Sequence, residues 1–206
     1  HNDYYRRLGF MRGVYYLCGA GMNVLVGYAG QKSLGQAGLF AAGAYAAALR
    51  NDKTHIAARQ ALALGLFQQH QAAEAEALLA EGLALQPQQS SLAMLLSRFK
   101  LSHQDLSGAI DTLKTALPSD GGGSAEARGQ LAALMQRANL HTEAVEQFAL
   151  ALKQNPSHGV WWMGLGISLA AEGRNTPARE AFQRARYASG LSAELQQYVD
   201  QRLRGL

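Results

Sequence analysis

A 34-residue interval recurs through the last three quarters of this sequence and limits its fold more than any other feature. Counted from Ile56, Ser90, Ala125 and Gly159, position 7 is Leu62, Leu96, Leu131 and Leu165, and position 8 is small: Ala63, Ser97, Ala132 and Gly166. Position 20 is always alanine, at Ala75, Ala109, Ala144 and Ala178. Position 24 is large (Leu79, Leu113, Phe148, Phe182) and position 27 is small again (Gly82, Ala116, Ala151, Ala185). Small residues at such positions let two antiparallel helices approach closely, and a large one fills the hole between neighbouring pairs. A helix hairpin of this size cannot bury its apolar face alone, so the copies must stack.

The pattern resembles the tetratricopeptide repeat over residues 56–192, with Pro87 and Pro156 at position 32 and Trp162 at position 4 of the last copy. The resemblance implies an all-α tetratricopeptide helix-hairpin solenoid, a right-handed superhelix of four units, 56–89, 90–123, 125–158 and 159–192. Local punctuation agrees. Ser124 with Glu126 starts the first helix of the third unit, and Asn175-Thr176 before Pro177 reads as the cap of the second helix of the fourth. Between units two and three, Pro118–Ser124 (PSDGGGS) adds one residue and three glycines, which predicts the most pliable joint of the array. From Ser192 a last amphipathic helix, residues 193–206, carries Leu195, Tyr198, Val199 and Leu203 on one stripe and reads as a solvating cap.

The same resemblance implies a concave groove lined by the first helix of each hairpin. Positions 2, 5, 9 and 12 would show Gln60, Leu64 and Phe67, then Met94, Arg98 and Leu101, then Glu126 and Gln136, and finally Val160, Met163 and Ile167. From these, Phe67, Met94, Arg98, Gln136, Val160, Met163 and Ile167 are the candidate contacts to a protein or peptide partner with hydrophobic anchors, together with Trp161, expected to be exposed beside a core Trp162. Packing between neighbouring helices is the competing reading of the same residues. The basic and amide clamp with which chaperone-binding relatives hold a carboxylate is not reproduced, since Arg98 stands alone.

Catalytic constellations are absent. The six histidines lie far apart, His70, His103 and His141 in or beside turns, and none has an i, i+4 partner suited to a metal. Gly19-Ala-Gly21 has Val24 where a dinucleotide fingerprint needs its third glycine, and the triple glycine before Ser124 has no Gly-Lys-Ser/Thr after it. No enzyme, cofactor or metal is expected. Cys18, the only cysteine, leaves no intrachain disulfide. The pI near 9.3 invites a nucleic-acid reading. However, residues 54–206 hold thirteen Lys/Arg and thirteen Asp/Glu, with no basic stripe and interleaved aromatics, so no nucleic-acid partner is expected.

The basic excess sits in residues 1–53, an apolar Gly/Ala-rich head opening on His1, which points to a processed product or a fragment. Its segment NVLVGYAGQKSLGQAGLFAAGAYAAAL, Asn23 to Leu49, is similar to an N-terminal segment of branched-chain amino acid ABC transporter permeases. That likeness implies a transport component fused to repeats as the alternative function. Gly13–Gly30 and Ser33–Leu49 are uncharged runs of 18 and 17 residues behind Arg6, Arg7 and Arg12, so residues 13–49 are expected either to associate with a membrane or to pack as a further N-terminal hairpin over 22–55. The fourth unit and tail, from His158 to Leu203, look like the C-terminal repeats of the tetratricopeptide protein of mannose-sensitive haemagglutinin (type IV) pilus biogenesis. The resemblance implies an interaction scaffold at the bacterial inner membrane serving envelope or secretion assembly; the basic flank puts its body on the periplasmic side if only the first uncharged run spans, and keeps it inside if both do.

Overall fold

The computed structural model describes residues 43–118 and 121–206. The chain divides into two units, residues 1–53 and 54–206. In the first, residues 43–51 are helical, and the Asp52 amide donates to Ala48 O at 2.9 Å to close the last turn. The permease-like segment, both uncharged runs, Cys18 and the possible extra hairpin lie wholly or mostly outside the described residues. Among the described residues, no helix is long and apolar enough to cross a membrane.

The second unit is all-α. Its helices are α1 (Ile56–Gln68), α2 (Ala72–Leu85), α3 (Ser90–Ser102), α4 (Leu106–Ala116), α5 (Ala125–Arg137), α6 (His141–Gln154), α7 (Gly159–Ala171), α8 (Asn175–Tyr187) and α9 (Ala193–Gly205). Among the described residues no strand forms, beyond a single parallel bridge between His158 and Ser189. The helices pair as hairpins α1–α2, α3–α4, α5–α6 and α7–α8, and each second helix also packs on the first helix of the next hairpin. This is the stacked-hairpin solenoid that the period requires.

The small residues sit where the period puts them. Ala75, Ala109, Ala144 and Ala178 are all 0% exposed and occupy equivalent places at the start of α2, α4, α6 and α8. Leu79, Leu113, Phe148 and Phe182 are buried one turn further on. The Phe182 ring lies against Gly166, where a methyl group would meet it at 3.0 Å. Burying a side chain of Leu or Phe size contributes roughly 1.5–3 kcal/mol relative to exposure, and here that gain depends on the facing residue being small. At the end of the array α9 lays Val199, fully buried, and the half-buried Leu195, Tyr198 and Leu203 onto the last hairpin, which is the expected cap.

The turns inside the hairpins share one backbone solution. Position 15 is left-handed in all four: His70 (φ 62°), Gln104 (φ 63°), Asn139 (φ 60°) and Gly173 (φ 74°). The next amide reaches back five residues, from Gln71 to Leu66 O at 2.9 Å, Asp105 to Lys100 O at 3.0 Å, Leu140 to Met135 O at 2.9 Å and Arg174 to Leu169 O at 2.9 Å. This is the Schellman closure of a helix C-terminus, which satisfies carbonyls that would otherwise lack partners.

Two sequence expectations need correction. Asn175 does not cap α8: the helix already includes it, Arg174 takes the cap position with no side-chain bond, and Pro177 lies within the first turn. The reason is the turn itself: the second helix of every hairpin begins at position 17, two residues after the left-handed one, and in α8 that residue is Asn175. The glycine joint, in turn, is tied at its described residues, where the sequence suggests a pliable connection. Arg128, 2% exposed, donates from Nη2 to Pro118 O at 2.6 Å, from Nε to Gly122 O at 2.8 Å and from Nη1 to Gln147 Oε1 at 2.8 Å, and Nη2 also bonds Gly122 O. Gln154 adds a bond to Gly123 O at 3.1 Å. Glycine is needed for shape there, since Gly121 and Gly123 hold φ of 88° and 87°.

Candidate functional site

The first helices α3, α5 and α7 lie side by side, and two glutamine amides tie them. Gln130 of α5 donates to Ser97 Oγ of α3 at 2.6 Å, and Gln136 donates to Ser168 Oγ of α7 at 2.7 Å and Gly164 O at 2.9 Å. Ser97 and Ser168 are both 0% exposed, so these amides satisfy polar groups that would be costly to bury alone. Gln136, a candidate contact, is therefore a tie between helices as well as a groove residue.

Across these helices runs a cleft of about 530 Å³. It brings together Met94, Arg98, Gln136, Val160, Trp161, Met163 and Ile167 of the candidate set, along with Glu126. Phe67 is not there. It stacks on Phe99, ring centroids 4.2 Å apart, against the apolar cluster between the first two hairpins. Leu64 is 45% exposed, and Leu101 packs against the main core; neither lines the cleft. The sequence reading missed Gly129, Gln130, Ala133 and His158, which complete its floor and rim.

Trp161 is not the exposed residue expected beside a core Trp162: it is the more buried of the two, and Trp162 packs at the edge of the core. Trp161 is buried, stacked on the His158 ring at 3.8 Å and seated on Gly129, where a methyl group would overlap its indole. Trp162 is half-buried: its Nε1 donates to Pro156 O at 2.7 Å and the Arg184 guanidinium lies 4.8 Å over its ring. The physical cause is the direction of position 3, which crosses toward the preceding hairpin. A glycine inside the otherwise strong helix former α5 was the available signal that something large must fit against it.

Electrostatics at the cleft are sparse. Arg98 is exposed and, among the described residues, has no acidic partner. Glu126 is held below the usual carboxylate range, first by the Ser124 hydroxyl donating to Oε2 at 2.7 Å, then by its own backbone amide, with His158 adding a smaller attraction. Ser124 also caps α5 by accepting from Ala127 N at 3.4 Å, as the sequence predicts. Among the described residues no group of three or more His, Cys, Asp or Glu could hold a metal ion. What this arrangement offers chemically is an apolar trough with one cation and one anion at its edges.

Two models of the tetratricopeptide repeat match the sequence, over residues 66–134 and 130–193. No curated protein matches the chain in sequence. Several solved structures share its fold. A crystal structure of MamA protein is 17% identical, with a TM-score of 0.58 over 81% of this chain and 91% of that one. YrrB, described as a TPR protein with an unusual peptide-binding site, is 19% identical, with a TM-score of 0.61 over 85% of this chain and 90% of that one. A chain of the Naa15/Naa10 complex bound to HypK is 19% identical, with a TM-score of 0.55, and the match takes in 80% of this chain and 26% of that one. Hairpin register, seam alanines and family models agree, and through this body the chain belongs to the tetratricopeptide repeat proteins.

Proposed function

We propose that the protein is a non-enzymatic scaffold that captures a segment of a partner protein in the cleft formed by α3, α5 and α7. The observation that carries this reading is the lining itself: half-buried Met94, Val160, Met163 and Ile167 converge beside Trp161 on one trough. Methionine side chains are unbranched and adapt to varied apolar anchors, which suits capture of a peptide over recognition of one rigid small molecule. The fold likeness to YrrB, described as having a peptide-binding site, supports the same reading. So does the likeness to part of a chain solved in a complex, Naa15/Naa10 bound to HypK-THB.

Two single variants of the full chain, Met163→Asp and Ile167→Asp, test it. Both side chains are half-buried, line the cleft and pack on the core, so a charge there should abolish capture at some cost in thermal midpoint, with far-UV circular dichroism and the midpoint showing that the chain is still folded at the assay temperature. If the variants recover the same partner segments as the parent chain, the apolar cleft is not the binding site.

The setting proposed with this function is assembly of a bacterial envelope or pilus machine, with the body periplasmic and residues 13–49 at the inner membrane; it rests on the sequence likeness of the fourth unit and on the two uncharged runs of the head. Protease protection of the body in intact spheroplasts would contradict that setting. No observation favours the transport reading.

A further inference from the structure

The outward face of α8 breaks the pattern of the earlier hairpins. Position 28 is Leu83, Leu117 and Leu152 in the first three hairpins and Arg186 in the fourth, while position 29 is Ala84, Pro118 and Lys153 and then Tyr187. Tyr187 is 86% exposed, against 36–47% for the other exposed large apolar residues. The charge changes along with the pattern. Residues 54–173 carry seven Lys/Arg against ten Asp/Glu, whereas residues 174–206 carry six arginines (174, 179, 184, 186, 202 and 204) against only Glu180, Glu194 and Asp200. Positions 21 and 26 show the reversal directly, from Glu76 and Glu81 in the first hairpin to Arg179 and Arg184 in the last.

Beside Tyr187 lies a cleft of about 820 Å³ bounded by Trp162, Arg184, Glu180 and the Pro156-Ser157 loop. Its walls are fixed by bonds within the chain: Trp162 Nε1 to Pro156 O at 2.7 Å, Ser189 N to Ser157 O at 3.0 Å and Gly159 N to Ser189 O at 2.8 Å. The Arg184 guanidinium carbon lies 4.8 Å over the Trp162 ring, and a guanidinium held against an aromatic ring can still use its planar fork of N–H groups to bind a carboxylate. Among the described residues neither Arg179 nor Arg184 is in an ion pair with an acid, while Arg186 is engaged by Asp200 at 3.2 Å.

We propose that this face docks an acidic, extended segment of a partner protein, with carboxylates at Arg184 and Arg179 and an aromatic or proline side chain on Tyr187. The site lies on the second helix of the last hairpin and is separate from the α3–α5–α7 cleft. Glu180, the one acid of the face, opposes such a ligand and so provides an internal control.

The test is fluorescence anisotropy of the full chain with a short fluorescein-labelled peptide rich in glutamate and tyrosine, at low salt. A lysine-tyrosine peptide and a labelled single-stranded DNA serve as comparators. We expect affinity that falls with added salt, drops about 10-fold in Arg184→Glu and about 5-fold in Tyr187→Ala, and rises about 2-fold in Glu180→Gln. Ile167→Asp should leave it unchanged. Equal binding of the lysine peptide, preferential binding of the DNA, or acidic-peptide binding indifferent to Arg184 and Tyr187 overturns the proposal. So does sedimentation showing that the face is covered by a second copy of the chain.

Discussion

The seams between helices and the turns that join them obey different rules. Every seam carries alanine at position 20, fully buried in all four hairpins. Every turn carries a left-handed residue at position 15, yet that residue is His70, Gln104, Asn139 or Gly173. A seam is set by volume, because a closely packed interior has no room for another methylene. A turn is set by backbone bonds, which any residue willing to accept a positive φ can complete. Chemistry is thus fixed where side chains meet and loose where only the main chain is held.

The joint between the second and third hairpins is held by several bonds from one buried side chain, and it provides the largest expected effect. Arg128→Ala removes charged bonds to Pro118 and Gly122 and should lower unfolding free energy by roughly 3 kcal/mol, measured by denaturant titration. A loss under about 0.5 kcal/mol would return the joint to the class of ordinary turns.

Gly129→Ala challenges a seam directly, since the new methyl meets the Trp161 indole. A cost of about 1–2 kcal/mol is expected, along with a shift in tryptophan emission as the ring leaves His158. Unchanged emission would mean that the ring is not wedged there. Gln104→Gly works in the opposite direction: relief of a left-handed non-glycine residue should raise stability by about 0.5–1 kcal/mol, read as a higher thermal midpoint. The same change at Gly173 is not available, which makes that turn the reference.

The smallest effect is in pH. Glu126, Asp105 and Glu172 all have lowered carboxyl pKa values, owing first to the Ser124 hydroxyl, the Gly108 amide and the Thr142 hydroxyl respectively. Each contributes stability that is present above its unfolded pKa and is lost as pH falls through the lower folded value. Stability should therefore decline below about pH 4.5, and Glu126→Gln should flatten its share of that slope. An unchanged slope would show that the Ser124 cap does not depend on the carboxylate.

The seams were legible in the sequence because volume recurs as residue type: alanine at 20, bulk at 24. Ser124 was legible as a cap, a hydroxyl just before a helix, and Ser192 as the place where the last helix begins; the structure shows both accepting from the third amide on. The turns were not, since a backbone geometry that accepts His, Gln, Asn and Gly leaves no single letter to find. That also hid the start of α8 at Asn175, the position at which every second helix begins. At the groove, the register placed Met94, Val160, Met163 and Ile167 on one face, but Phe67 fell outside it because Phe99 of the next hairpin offers a ring to stack upon. Trp161 was misjudged because its partner is an absence of side chain, Gly129, one hairpin earlier.

The most direct measurement substitutes leucine for Ala75, Ala109, Ala144 and Ala178 one at a time and compares each denaturation midpoint with that of Ala80→Leu, an exposed alanine of α2. Stacked hairpins in register require a similar loss at all four seams, about 1–3 kcal/mol, and almost none at Ala80. If any seam tolerates leucine as well as Ala80 does, the hairpins do not stack through these alanines.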